Sequence, residues 1–198
     1  MTNFTSNIKT VDQIIEKTRV EVLLKDEIDN YQVAYEINKA DIHTTLSSLK
    51  KEGWIQLSYL SAIDWPDENK MELIYLLFNW ETPVYIQIRS KIDREHPEVA
   101  SIIQIYPGAK YYEREAHEFF GIHFPGNPDY EKQLILENWD DIPPLRKDFD
   151  PRAYSDKKFP SREYPDQFSE KDPKNKKREK LEARDIRANK LRSGGEKQ

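Results

Sequence analysis

The residues able to do chemistry in this chain gather between positions 112 and 149. His117-Glu118 has the opening of the HExxH pattern, in which two histidines one helical turn apart hold zinc and the glutamate acts as base. Gly121 stands where the second histidine belongs. His123, six residues beyond His117, falls roughly 120° away around a helix. Glu113 and His117 are spaced i, i+4 and could share an ion, but no second pair of ligands repeats the spacing, so no metal site is expected. The same short helix crowds Glu113, Arg114, Glu115 and Glu118 together. Glu115 and Glu118 repel mildly at helical spacing unless a cation approaches. Arg146, in the run Leu145-Arg146-Lys147-Asp148 after Pro143-Pro144, can supply one. A guanidinium binds a carboxylate through two parallel hydrogen bonds. The expectation is that Arg146 folds back on Glu113 or Glu115; the alternative is that the cluster is a solvated face.

Other chemistries are constrained by composition. The chain has no cysteine, which removes disulfides, thiolate zinc sites, cysteine nucleophiles and cysteine-ligated iron–sulfur clusters. Six glycines form neither GxGxxG nor a Walker loop to cradle phosphates, and no GxSxG elbow occurs. Asp64 beside Trp65, and Asp140-Asp141, could serve as acid and base, although each suits a turn or cap equally well. No catalytic, cofactor-binding or metal-ligating residue is expected.

The elements that would position these residues follow from periodicity. Val11, Ile14 and Ile15 mark a short helix; Val20, Val22 and Leu24 a strand; Tyr31, Val33, Tyr35 and Ile37 a second strand after a turn at residues 26–30. Asp41 suits the N-cap of a helix whose stripe is Ile42, Leu46 and Leu49, with Gly53 ending it in a left-handed conformation. Three strands are expected over 54–63, 71–79 and 83–90, with Trp54, Trp65 and Trp80 flanking them as packing residues. Their connecting loops are too short for anything but antiparallel neighbours. Pro97 suits the first turn of a helix through Val99, Ile102 and Ile103 to Tyr106, and a further helix spans 109–120 before Gly121. The fold class expected is α+β, a largely antiparallel sheet covered by helices, followed by an extended C-terminal arm.

Three regions are expected: an α+β domain over 1–121, an arm over 122–168 and a charged tail over 169–198, helical or disordered. Residues 122–168 hold seven of the twelve prolines, interleaved with aromatics such as Phe124, Tyr130, Trp139, Phe149 and Tyr154. Prolines exclude most regular structure, whereas a solvated linker would lack the rings. Residues 151–198 carry 15 Lys+Arg against 9 Asp+Glu, a net of +6. Subtraction from the totals of 31 and 36 leaves 16 basic and 27 acidic residues in 1–150, a net of −11. An acidic body argues against nucleic-acid binding by the folded part. The N-terminus reads as no signal peptide, and the longest apolar run, Leu73 to Phe78, is far short of the roughly 20 residues a membrane helix requires. A soluble chain is expected, held at any membrane by other subunits.

Glu113-Arg114-Glu115, Glu118-Phe119-Phe120-Gly121-Ile122, Gly126-x-Pro128-Asp129, Trp139 and Pro144-Leu145-Arg146-Lys147-Asp148-Phe149 form a series similar to the signature of the NADH dehydrogenase (respiratory complex I) 30 kDa subunit family, which includes related subunits of membrane-bound hydrogenases. The series spans about a fifth of the chain. The resemblance implies a non-catalytic structural subunit in the hydrophilic arm of a complex I-like NADH/quinone or ferredoxin-linked oxidoreductase. Its partners would be a hydrogenase-like large subunit and iron–sulfur subunits. NADH or ferredoxin, iron–sulfur clusters and quinone would belong to the complex and none to this chain. The location implied is peripheral, on the cytoplasmic side of an energy-transducing membrane. The residues implied for partner binding or for the structural motif are Glu113, Arg114, Glu115, Glu118, Gly121, Pro128, Trp139, Arg146, Lys147 and Asp148. Asn127 stands where the family commonly has histidine, Glu131-Lys132 where it has an arginine pair, and Leu136 where proline is frequent. These departures leave room for a subunit of a membrane-bound hydrogenase or other ferredoxin-linked relative. A different class of function is an independent binding module whose basic tail recruits an acidic partner or nucleic acid.

Overall fold

A computed structural model describes residues 4–159, with side chains from residue 7 onward; the expected tail and the end of the expected arm lie outside the described residues. The described residues up to Pro151 form one compact unit. It opens with α1 (Phe4–Thr18), whose Ile8, Val11, Ile14 and Ile15 repeat at helical spacing and are all buried. Strands β1 (Val22–Asp29) and β2 (Gln32–Ile37) follow as an antiparallel hairpin. β2 buries Val33, Tyr35 and Ile37, while the edge strand β1 stays exposed along nearly its whole length. Charged residues from Lys25 to Asp29 blunt that edge, as edge strands require.

Helix α2 (Ile42–Lys51) buries Ile42, Leu46 and Leu49 as its spacing predicts. Asp41 makes no capping hydrogen bond, because a 3₁₀ turn at Lys39–Asp41 runs straight into the helix. Gly53, at φ +102°, breaks the chain out of α2 as expected. Strands β3 (Gln56–Trp65), β4 (Lys70–Phe78) and β5 (Tyr85–Asp93) then form an antiparallel meander. The five-stranded order is β1-β2-β5-β4-β3, with β2 and β5 parallel. The longer connection from β2 to β5, through α2, β3 and β4, is what allows the one parallel pairing.

Alternation gives the sheet two unlike faces. Leu60, Ala62 and Asp64 of β3 share the buried face with Met71, Leu73, Tyr75 and Leu77 of β4 and with Ile86, Ile88 and Ile92 of β5. One core joins that face to α1, α2 and the 99–124 region. Each fully buried Leu, Ile or Phe there contributes about 1.5–3 kcal/mol. Trp54 lies fully buried and donates Nε1–H to the Val84 carbonyl at 3.2 Å, so its one polar atom is satisfied.

Residues 97–106 do not form the expected helix. The chain there runs extended beside residues 123–125: His123 N–H donates to Pro97 O (2.8 Å), Val99 N–H to His123 O (3.0 Å) and Ser101 N–H to Pro125 O (2.8 Å). Only one turn closes, at Ile102, whose carbonyl accepts from Ile105 and Tyr106. The spacing of Val99, Ile102 and Tyr106 satisfies this fold as well as a helix, because all three reach the core either way. Helix α3 (Ala109–Phe120) follows and lies against β3, where the Tyr112 hydroxyl donates to Ser58 O at 3.1 Å.

Residues 122–150 contain no helix and no strand longer than a single bridge residue, yet they fall within the same compact unit as the sheet. Beyond them, Pro151–Lys158 forms α4 where an extended chain is expected. Pro151 occupies the first helical position, where a missing N–H breaks no hydrogen bond.

Candidate functional site

The signature residues of α3 are not a solvated charge face; three of the four charged groups turn to named partners. Glu113 is 0% exposed, on the side of α3 that faces the core. Its carboxylate accepts from Ser101 Oγ–H (2.7 Å), Ile102 N–H (2.8 Å) and Asn127 Nδ2–H (2.9 Å). Burial pushes the Glu113 pKa above the ordinary carboxylate range, while those three donors work against the rise. Asn127 also donates to Lys110 O and accepts from Asp129 N–H, so an amide with both donor and acceptor ends suits the position. Glu113 therefore ties the 101–102 turn and the 127–129 loop to α3. It does not pair with Arg146, and the nearby His117 places its Nδ1 2.9 Å from the Ile122 carbonyl oxygen.

Arg114 and Glu118, one turn apart, hold a second loop. Arg114 donates Nε–H to Lys132 O (3.1 Å) and Nη2–H to Gln133 O (2.7 Å). The Glu118 carboxylate collects the consecutive amides of Leu134, Ile135 (2.8 Å) and Leu136. Asp129 is held at about 2 by Lys110 first and Lys132 second, which close on it from either side. Glu115, expected as a partner of Arg146, is half-buried and makes no hydrogen bond or ion pair among the described residues.

The third contact lies where α3 ends. Gly121, at φ +78°, closes α3 by donating N–H to His117 O at 2.7 Å. A side chain there would be strained and would approach Arg146 Nη2 to 3.1 Å and Pro143 Cγ to 3.2 Å. Arg146 folds back on α3, but onto the backbone rather than onto a carboxylate: its Nε–H donates to Phe120 O at 2.8 Å. Leu145 N–H donates to Phe119 O at 3.0 Å beside it. The guanidinium thus caps the Phe120 carbonyl at the negative end of the helix, which suits a cation. Trp139 packs its ring 5.3 Å from that of Phe149 and donates to Ile142 O, stiffening the stretch between the prolines. Pro128 is exposed and joins none of these contacts.

A residue outside the signature completes the set. Asp64, 2% exposed at the end of β3, accepts from Arg94 Nε–H (2.6 Å) and Nη2–H (2.9 Å) and from the Lys147 amide (2.8 Å). Arg94 also reaches Asp148 at 2.9 Å. The Arg94 guanidinium first, and then the Lys147 N–H, hold the Asp64 carboxyl below the ordinary range. Asp148 and the Lys147 backbone thereby enter the network, while the Lys147 side chain stays exposed.

Beside this frame is a cleft of about 300 Å3 whose lining includes His117, Glu118, His123, Lys132, Leu136 and Trp139. The rings of His117 and His123, two of its lining residues, stack edge to face with each other and with Tyr130, with centroids 4.9–6.1 Å apart. Among the described residues no group of three or more His, Cys, Asp or Glu is arranged to hold a metal ion.

Most of the charged signature on α3 thus serves to fasten an irregular segment to the helix. Residues 35–155 match the family described as the respiratory-chain NADH dehydrogenase 30 kDa subunit, and the chain belongs to that family. A NADH-quinone oxidoreductase subunit of Moorella thermoacetica is 37% identical over 100 residues, which cover 50% of this chain and 67% of that protein. A subunit of the F420H2 dehydrogenase of Methanosarcina mazei is 29% identical over 102 residues, covering 50% of this chain and 65% of its own length. Among solved structures, a chain of the membrane-bound sulfane sulfur reductase, an archaeal respiratory membrane complex, superposes with a TM-score of 0.72 at 30% identity. The superposition covers 82% of this chain and 97% of that one.

Proposed function

We propose that this chain is a structural subunit in the hydrophilic arm of a complex I-like membrane oxidoreductase, docked on a large subunit of nickel–iron hydrogenase type beside iron–sulfur subunits. The observation that carries the proposal is the use made of the signature. Arg114, Glu118 and Arg146 hold residues 132–146 against α3, Glu113 ties both the 101–102 turn and Asn127 to it, Gly121 closes it, and none aligns a nucleophile with a base. A surface fixed in advance loses less ordering entropy when a partner binds. Electron carriers belong to other subunits on this reading, since a chain without cysteine offers no thiolates to a cluster. Among the described residues no helix is long and apolar enough to cross a membrane. Attachment at the cytoplasmic side of the membrane would therefore run through partners.

Two observations favour a second reading of the parent complex. The sulfane sulfur reductase chain is matched over nearly its full length, and Asn127, Glu131-Lys132 and Leu136 depart from the usual family pattern. A membrane-bound, ferredoxin-linked or hydrogenase-type relative would accommodate both. An affinity tag on this chain, used to capture complexes from detergent-treated membranes of its own cells, tests the proposal. Recovery of iron–sulfur proteins and a hydrogenase-like large subunit is expected, and NADH, ferredoxin and quinone can then be tried as reaction partners. Recovery of the chain alone from membranes that retain the oxidoreductase activity would overturn it.

A further inference from the structure

We infer that residues 132–136 form a pre-set apolar prong that seats in a recess, rimmed by basic residues, on the large-subunit partner. The inference rests on the docking proposed above and names the surface that does it. Arg114 takes the carbonyls of Lys132 and Gln133, and Glu118 takes the amides of Leu134, Ile135 and Leu136. Five successive residues thus turn backbone polar groups toward the helix. Two of the side chains are left to solvent: Leu134 is 36% and Ile135 65% exposed, while Leu136 is half-buried and lines the cleft beside His117. A loop free to choose would hide those two side chains and leave its amides to water. Tyr111, 60% exposed, lies on the same helical face as Arg114 and Glu118 at i, i+3 and i+7 and extends the apolar surface.

Charge selects the occupant. Residues 129–142 carry Asp129, Glu131, Glu137, Asp140 and Asp141 against Lys132 alone. Asp129 already engages that lysine and Lys110. An apolar centre within an acidic rim complements a protein recess ringed by Lys and Arg. The same rim is repelled by an anionic lipid surface and by an identical rim on a second copy.

Hydroxyl-radical footprinting of the full chain, free and within the captured assembly, tests the inference. Labelling of Leu134, Ile135 and Leu136 should fall at least about tenfold on assembly, as befits a buried interface centre. The wild-type footprint does not depend on any variant folding. As a second arm, Leu134→Ser with Ile135→Ser should cut assembly yield by about tenfold, while Leu23→Ser on the exposed β1 edge leaves it unchanged. An assembly that forms with these residues labelled as fast as in the free chain overturns the prong and leaves the subunit reading standing. A chain that captures no assembly overturns both. Protection of the loop by self-association, or by vesicles of anionic lipid without protein, overturns the choice of partner.

Discussion

Removing the Asp64 carboxylate should loosen both the sheet end and the segment that crosses it. Asp64→Ala takes away one acceptor that serves Arg94 twice, at 2.6 and 2.9 Å, and the Lys147 amide at 2.8 Å. Arg94, with its side chain 16% exposed, keeps only Asp148 at 2.9 Å. Breaking a buried pair from one side costs about 3–5 kcal/mol. The surviving contact to Asp148 puts the expectation near the lower end, about 3 kcal/mol. With a urea dependence of about 2 kcal/mol per molar, the unfolding midpoint should fall by about 1.5 M. Asp148→Ala removes an exposed partner and should cost about 0–1 kcal/mol. Trypsin should also cut after Arg146 or Lys147 faster in Asp64→Ala than in wild type, because the Lys147 amide is no longer held. The pH dependence has a definite sign. Asp64 is depressed in the folded state, so its stabilisation is fully present above the unfolded value of about 3.9 and is lost as pH falls through the folded one. A midpoint within about 0.3 M of wild type, with unchanged cleavage at 146–147, would refute this reasoning.

Glu113 should behave oppositely. Its raised folded pKa gives stability that is present below the unfolded value of about 4.3 and lost as pH rises through the folded one. Glu113→Gln should cost about 1–3 kcal/mol, since one amide end must face a donor. Its deficit relative to wild type should be largest at low pH and shrink as pH rises; a deficit independent of pH in urea unfolding would contradict the assignment. Gly121→Ala should cost at least about 1–2 kcal/mol by thermal unfolding, from the positive φ alone. Arg146→Ala should cost about 1–2 kcal/mol through the lost charged hydrogen bond to Phe120 O, whereas Glu115→Ala should leave the unfolding midpoint where it is.

The sheet was legible from sequence because alternation in β2 and β5 is nearly unbroken, β4 carries the longest apolar run, and short loops leave antiparallel pairing as the one option among β3, β4 and β5. The helix expected at 97–106 was not, because Val99, Ile102 and Tyr106 reach the core from an extended chain as readily as from a helix. What decides there is the Glu113 carboxylate, which takes Ser101 and Ile102 donors from twelve and eleven residues away. The cluster on α3 stands out in the sequence by its charge density, but the partners expected for it were misassigned. Arg146 returns to α3 without meeting Glu113 or Glu115. Backbone carbonyls and amides, invisible as sequence features, took the place of the expected ion pairs. Asp64 beside Trp65 reads from sequence as an acid, a base, or a turn or cap residue. Its signal was present all the same: alternation places it on the side of Leu60 and Ala62, and an inward carboxylate requires a cation. Arg94, just past β5, is that cation.

The subunit reading stands or falls on stoichiometry in the native assembly. Complexes captured through this chain, separated on a density gradient and quantified by mass spectrometry, should hold it equimolar with a hydrogenase-like large subunit in every fraction that carries oxidoreductase activity. Active fractions that contain the large subunit and lack this chain would contradict the reading.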